Sequence, residues 1–134
     1  MKASFCVLYA FLGLFFAEPA LALTGNELLP KCDKFLSRIE VVGDGRFKYD
    51  GSTDSAECFG FAQAIHTLAY LYVLDDSGIV EKQSILRICP PSGVTVVQMI
   101  RMFVKYAKDN PDQLNNDAVF LAMSALGQAY RCKT

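Results

Sequence analysis

The cysteines and the histidine are the side chains of this sequence best suited to catalysis. The chain contains five cysteines and one histidine, His66. Cys58 lies eight positions before His66 in a segment with a helical pattern, so the two residues are about two turns, or about 12 Å, apart along one helix. A Cys–His nucleophile pair needs direct contact between its side chains. The spacing therefore argues against a cysteine hydrolase, and we expect His66 to be a partly buried helix residue with a satisfied ring nitrogen.

The acidic residues form no convincing catalytic pair either. Asp75 and Asp76 follow a predicted helix end, while Asp109 and Asp112 flank a proline that stops a helix. Such positions are typical of solvated carboxylates. The sequence also has no glycine-rich phosphate loop and no G-x-S-x-G motif. It therefore predicts a binding or structural protein that is not an enzyme and uses no cofactor.

Residues 1–22 have the pattern of a cleavable export signal. Lys2 provides the positive start, and residues 5–16 form an apolar stretch that is too short to span a membrane. An Ala-Leu-Ala sequence that ends at Ala22 is a typical cleavage site. The sequence predicts cleavage after Ala22 and a single exported mature domain over 23–134. An uncleaved anchor is the alternative interpretation.

The charge balance excludes some classes of partner. Thirteen basic and fourteen acidic residues give a formal net charge of −1, and the sequence contains no run of lysines or arginines. Nucleic acids and anionic membrane surfaces attract basic patches. We therefore expect no nucleic-acid partner and no membrane partner after cleavage.

Four cysteines remain once the signal is removed: Cys32, Cys58, Cys89 and Cys132. An even number of cysteines behind an export signal predicts two disulfides. Four cysteines allow three pairings, and their order along the chain favours Cys32–Cys58 and Cys89–Cys132. A zinc site is a weaker alternative, because no two cysteines lie close in sequence and only one histidine is available.

The apolar periodicity of the mature chain predicts an all-α bundle of four to five helices tied by two disulfides. A T-x-x-E capping box at Thr24 starts a predicted helix over about 25–39, although Pro30 leaves the position of its first turn open. A second helix is predicted over about 55–74. It is apolar nearly all round, so we expect it at the centre of the bundle.

A helical hairpin is predicted in the C-terminal part of the chain. Thr95 and Gln98 form a second capping box, and the helix that follows should stop before Pro111. The last helix should begin at one of residues 115–117 and run to about Tyr130.

Two connections join these predicted helices. Residues 40–54 are rich in glycine and aspartate and are predicted to form a loop, with a short hairpin between 41–42 and 47–49 as the alternative. Residues 75–94 form the longer connection, in which 79–88 is either a short helix or an extended arm. Long connections often carry function, so we expect a binding surface here.

Several motifs occur in an order that is specific to one family. A TGNELL helix start precedes Cys32, a C-F-G-F sequence begins at Cys58, and a C-P-P-S-G-V-T sequence begins at Cys89. A D-N-P stop at 109–111 and a helix of small residues before Cys132 complete the series. In this order the chain resembles the Rap/Tai family of immunity proteins, which protect against amidase toxins delivered by type VI secretion.

The resemblance implies a periplasmic protein that binds a cysteine-type peptidoglycan amidase effector and occludes its active-site groove. It also implies that the inhibitor can act as a homodimer. Occlusion requires a firm frame and an accessible loop, so the connection 75–94 is the expected contact region. Its accessible candidates for partner binding are Asp75, Asp76, Glu81, Lys82, Gln83 and Arg87. The alternative is that this segment only connects two helices.

A small periplasmic helical chaperone or stress protein is the alternative function from another class. Such a protein would bind weakly and promiscuously, and more strongly when acid loosens its fold. One histidine and few acidic residues offer little for a pH switch. The sequence therefore favours the immunity function.

Overall fold

The computed structural model describes residues 22–43, 46–70, 72–74, 80–84 and 88–132, with only the backbone described for 72–74 and 80–84. The chain order of its elements is α1 Gly25–Arg38, β1 Glu40–Val42, β2 Arg46–Lys48, α2 Thr53–Ala69, β3 Tyr72–Leu74, β4 Val80–Ser84, α3 Val96–Asp109, a short 3₁₀ turn Pro111–Gln113, and α4 Ala118–Ala129.

The predicted helical bundle is confirmed in its four helices and two disulfides, but the fold is mostly helical rather than purely all-α. Among the described residues, two antiparallel two-stranded sheets, β1–β2 and β3–β4, accompany the four helices. The loop predicted for 40–54 contains the first hairpin, in which Val41 is opposite Phe47. The Phe47 ring lies 6.0 Å from that of Phe35 and 5.3 Å from that of Phe59. This aromatic packing against α1 and α2 holds the strands together, and local turn signals do not reveal it.

Helix α1 begins at the predicted capping box and continues through Pro30. The backbone N–H of Thr24 donates to the Glu27 carboxylate at 2.8 Å. The next two backbone N–H groups donate at 3.0 and 2.8 Å to carbonyls in the segment 114–116. These bonds fix the first turn from outside the helix. The hydrogen bond lost at Pro30 therefore does not displace the start of α1.

The start of α1 also approaches the C-terminal helices closely. Gly25 is buried, and a Cβ atom at this position would lie 2.7 Å from the side chain of Leu121 and 3.0 Å from the carbonyl oxygen of Leu114. Only glycine permits this contact without displacing its neighbours. The N–H of Ala118 donates to the carbonyl of Leu23 at 2.7 Å, so the start of the described chain meets the start of α4 at this point.

Helix α2 is shorter and more peripheral than predicted. It ends at Ala69 rather than at residue 74, and the turn at Tyr70 leads into β3. Its buried residues form one stripe along the helix: Ser55, Cys58, Ala62, Ile65 and Ala69. The face opposite this stripe is exposed and includes Leu68. The apolar residues 70–74 suit a strand as well as a helix. Periodicity alone therefore extended the helix too far.

Helix α3 occupies the central position that the sequence assigned to α2. It packs against each of the other three helices. The predicted capping box is present, since the N–H of Thr95 donates to the Gln98 side chain at 2.8 Å and the N–H of Gln98 donates to the Thr95 hydroxyl at 3.2 Å. The helix ends before Pro111, and Asp117 caps α4 by accepting the N–H of Val119 at 3.0 Å.

Two disulfides join these elements, in the pairs that chain order favours. The Cys32–Cys58 bond links α1 to α2 within the core, with a Cα–Cα distance of 5.1 Å. The Cys89–Cys132 bond links the segment before α3 to the residues after α4, with a Cα–Cα distance of 4.9 Å. Together they cross-link both halves of the helical frame.

The N-terminal segment 1–21 lies outside the described residues, so the export signal and cleavage after Ala22 stay predictions. Within the described ranges, no helix is long and apolar enough to cross a membrane. The same ranges contain no group of three or more side chains that could hold a metal ion.

Candidate functional site

The six predicted contact residues lie in the connection between α2 and α3. Three of them lie outside the described residues: Asp75, Asp76 and Arg87. The other three lie in β4, where the backbone alone is described: Glu81, Lys82 and Gln83. These six positions therefore remain a prediction that rests on the surrounding backbone.

The described backbone of this connection is a β-hairpin. Strand β4 pairs antiparallel with β3, with Tyr72 opposite Ser84 and Leu74 opposite Val80, and the register is irregular between these two pairs. Of the two alternatives for 79–88, the extended arm agrees with the strand at 80–84. We call residues 72–84 the contact hairpin below.

Residues 88–89 follow the contact hairpin, and we call them its C-terminal base. They are attached to the end of α4 in three ways. Ile88 is only 1% exposed and forms a β-bridge with Arg131. The N–H of Cys89 donates to the carbonyl of Tyr130 at 2.8 Å. The Cys89–Cys132 disulfide then makes the attachment covalent. Movement of this base would require the end of α4 to move with it.

Residues 91–94, which follow this base, are hydrogen-bonded to the end of α2. The Tyr70 hydroxyl donates to the carbonyl of Pro91 at 3.0 Å, and His66 Nε2 lies 3.0 Å from the carbonyl oxygen of Val94. Because a carbonyl only accepts, His66 Nε2 must carry the hydrogen. His66 is half-buried, as the sequence predicted, and its ring centroid lies 4.9 Å from that of Tyr70. These bonds fix residues 91–94 between the hairpin and α3.

The described cysteine and histidine side chains near this base have structural partners. Cys58 is bonded to Cys32, so it supplies no thiolate, and His66 Nε2 is committed to a backbone carbonyl. The described part of the chain therefore contains no Cys–His pair.

Three of the five ion pairs among the described residues lie elsewhere, between α1 and residues 50–57. Arg38 donates to Asp50 at 2.6 Å, Lys34 to Asp54 at 2.7 Å, and Lys31 pairs with Glu57. The Arg38 guanidinium, helped by the Ser55 hydroxyl and the Ser52 backbone, holds the pKa of Asp50 far below its usual value of 3.8. A lowered carboxylate pKa stabilises the fold above about pH 4, and this stabilisation is lost as the pH falls further. These pairs join α1 to α2 and to the segment just before it.

An exposed apolar surface on α4 was not singled out from the sequence. Val119 is 41% exposed and Phe120 is 66% exposed. The helix AVFLAMSALGQA contains no charged residue. One face packs on α3, and the other carries apolar side chains into solvent. The absence of charge from a helix that is not fully buried was the available signal for an interaction surface.

The described residues form a small disulfide-tied helical protein with two short β-hairpins. The sequence profile of the Rap1a immunity proteins matches residues 24–132, which is most of the chain, and the chain belongs to this family. The match confirms the resemblance seen in the motif order. Searches of curated proteins and of solved structures found no match to the chain.

Membership of an immunity family implies that this protein binds a secreted toxin. The family and the two disulfides together indicate an extracytoplasmic protein. The family membership favours an inhibitor over the chaperone or stress-protein alternative, whereas an extracytoplasmic location fits both.

Proposed function

We propose that this protein is the periplasmic immunity partner of a type VI secretion effector that cleaves peptidoglycan as a cysteine amidase. In this proposal the export signal 1–22 is removed and residues 23–134 form the mature inhibitor. The family match over 24–132 supports an immunity role, and two disulfides suit an oxidising compartment. An effector that acts on the cell wall must be neutralised on the same side of the inner membrane as its substrate.

We place the toxin contact on the contact hairpin, which would enter the amidase groove and exclude its substrate. The carrying observation is the fastened base at Ile88 and Cys89, which limits how far the hairpin can move relative to the helices. A segment whose base is already held in place loses less conformational entropy when it binds. Exclusion of the substrate needs no catalytic residue in the inhibitor.

Alanine replacement of Glu81, Lys82 and Gln83 together tests this placement. We expect the triple variant to bind the amidase encoded beside its gene about 100-fold more weakly, because interface centres carry most of the binding energy. The readouts are calorimetric affinity and inhibition of peptidoglycan cleavage.

The matched control removes one acid, one base and one amide at exposed positions outside this connection: Asp112, Lys105 and Gln128. Its affinity should stay within about threefold of wild type. Equal affinities for the two triple variants would show that β4 is not the contact.

We also propose that the inhibitor forms a homodimer through the exposed face of α4. The carrying observation is the exposure of Val119 and Phe120 on a helix without charge. A two-fold interface uses the same patch on both copies, and no like charges would meet there. Sedimentation should show a dimer for the wild type and a monomer for Phe120→Asp. A wild-type monomer at high micromolar concentration would contradict the dimer.

A further inference from the structure

A concave surface lies between the β1–β2 hairpin, α2 and the start of α3. It is a groove of about 350 Å³, within the size range of ligand pockets. Half-buried apolar side chains line it: Ile39, Phe47, Phe59 and Val96. Val41, which is 73% exposed, lies at its edge. An apolar lining of this kind favours a partner that brings apolar side chains of its own.

Two arginines also line this groove. Arg46 comes from β2 and Arg101 from α3, and both side chains are exposed. Neither makes an ion pair or hydrogen bond within the described ranges, whereas Lys31, Lys34 and Lys108 are all paired there. Among the described residues, no acidic side chain lines the groove. We call this surface the arginine groove.

A third polar side chain of the groove also has no partner among the described residues. Gln63 of α2 lines the groove, and its side-chain amide makes no hydrogen bond with the described residues. An amide offers both a donor and an acceptor, which suits an extended backbone. Arginine presents a planar fork that matches a carboxylate. The three groups therefore complement a peptide segment that carries acidic side chains.

We propose that the arginine groove binds an extended segment of the toxin in which carboxylates alternate with apolar side chains. This inference rests on the proposed function, because it takes the toxin as the partner. The apolar residues of the segment would contact Phe47 and Phe59, and its carboxylates would pair with Arg46 and Arg101. Charge complementarity selects this occupant over a basic or uncharged segment.

The arginine groove adjoins residues 91–94, which are hydrogen-bonded to α2. Val94, whose carbonyl bonds to His66, directly precedes Thr95, which lines the groove. Gln63 lies one helical turn before His66 on α2. One toxin molecule could therefore contact both surfaces, with the hairpin blocking the active site and the groove selecting the correct toxin.

The double variant Arg46→Gln/Arg101→Gln tests the proposal in the full mature chain. The probe is the amidase encoded beside the gene, with its active-site cysteine inactivated, and the readout is calorimetric affinity at low and high salt. We expect the dissociation constant to rise about 30-fold, and the salt dependence of binding to weaken, because two interfacial charge pairs are lost.

The control Lys105→Gln/Lys108→Gln removes the same two charges from the second half of α3. Both lysines make exposed ion pairs, with Asp109 and Asp33, and such pairs contribute little to stability. The control should bind within about threefold of wild type. If both double variants bind alike, the arginine groove is not a toxin contact, although the proposed function stands. If the wild-type protein does not bind the amidase, the proposed function fails and this inference fails with it.

Discussion

Replacing both Cys89 and Cys132 with alanine is expected to lower the free energy of unfolding by about 4 kcal/mol and to abolish inhibition of the toxin. The two cysteines are 43 positions apart, so their bond removes a large loop-closure entropy from the unfolded chain. In the folded protein the same bond holds the base of the contact hairpin against the end of α4. Loss of the bond should therefore weaken both the fold and the binding.

The variant Cys32→Ala/Cys58→Ala is the matched comparison. Its cysteines are 26 positions apart, which gives a similar entropic loss of about 3.5 kcal/mol, and its bond lies between α1 and α2. Denaturant unfolding measures the stability of both variants, and amidase inhibition is measured where both remain folded. Inhibition should fall further in the Cys89 and Cys132 variant. Equal inhibition by the two variants would contradict the anchoring role of the Cys89–Cys132 bond.

Replacing Phe35 with alanine is expected to cost about 3–5 kcal/mol of stability. Phe35 is 0% exposed, and its ring lies about 6 Å from those of Phe47, Tyr49 and Phe59. Its removal leaves a cavity between α1, α2 and the β1–β2 hairpin. Denaturant unfolding should show a lower midpoint with an unchanged slope.

Phe120→Ala removes the same side chain from an exposed position and is the natural control. Its free energy of unfolding should stay within about 0.5 kcal/mol of wild type, when measured at a concentration at which the protein is monomeric. A cost below about 1 kcal/mol for Phe35→Ala would mean that the aromatic cluster does not hold the first hairpin.

The elements that the sequence predicted best have local signals at their ends. The capping boxes at Thr24 and Thr95 and the stop before Pro111 need only residues three or four positions apart. The amphipathic pattern of α3 likewise follows from one helix. Such signals do not depend on the rest of the fold, and they located the starts of α1 and α3 correctly.

The errors concern features that arise from tertiary contacts. The β1–β2 hairpin depends on Phe47 meeting Phe35 and Phe59, which lie in two different helices. The central place of α3 depends on how four helices pack, and the uniform apolar character of α2 gave a misleading signal. The bond from His66 to Val94 spans 28 positions, and no local pattern indicates it.

In the candidate site, too, local signals were predictable from the sequence and tertiary contacts were not. Chain order and composition predicted a contact region at 75–94, where the described backbone pairs strand β4 with β3 and a disulfide holds Cys89. The arginine groove could not be predicted, because Arg46 and Arg101 are 55 positions apart and approach one groove only in the folded chain.

The central claim is that this protein neutralises an amidase toxin by direct binding. The most direct test is calorimetric titration of the oxidised mature protein into the cysteine amidase encoded beside its gene, with peptidoglycan cleavage followed in parallel. We predict one-to-one binding with a dissociation constant of about 1 nM, in the range of tight protein–inhibitor complexes, and complete loss of cleavage at equimolar protein. An amidase that keeps its full activity with excess inhibitor present would contradict the claim.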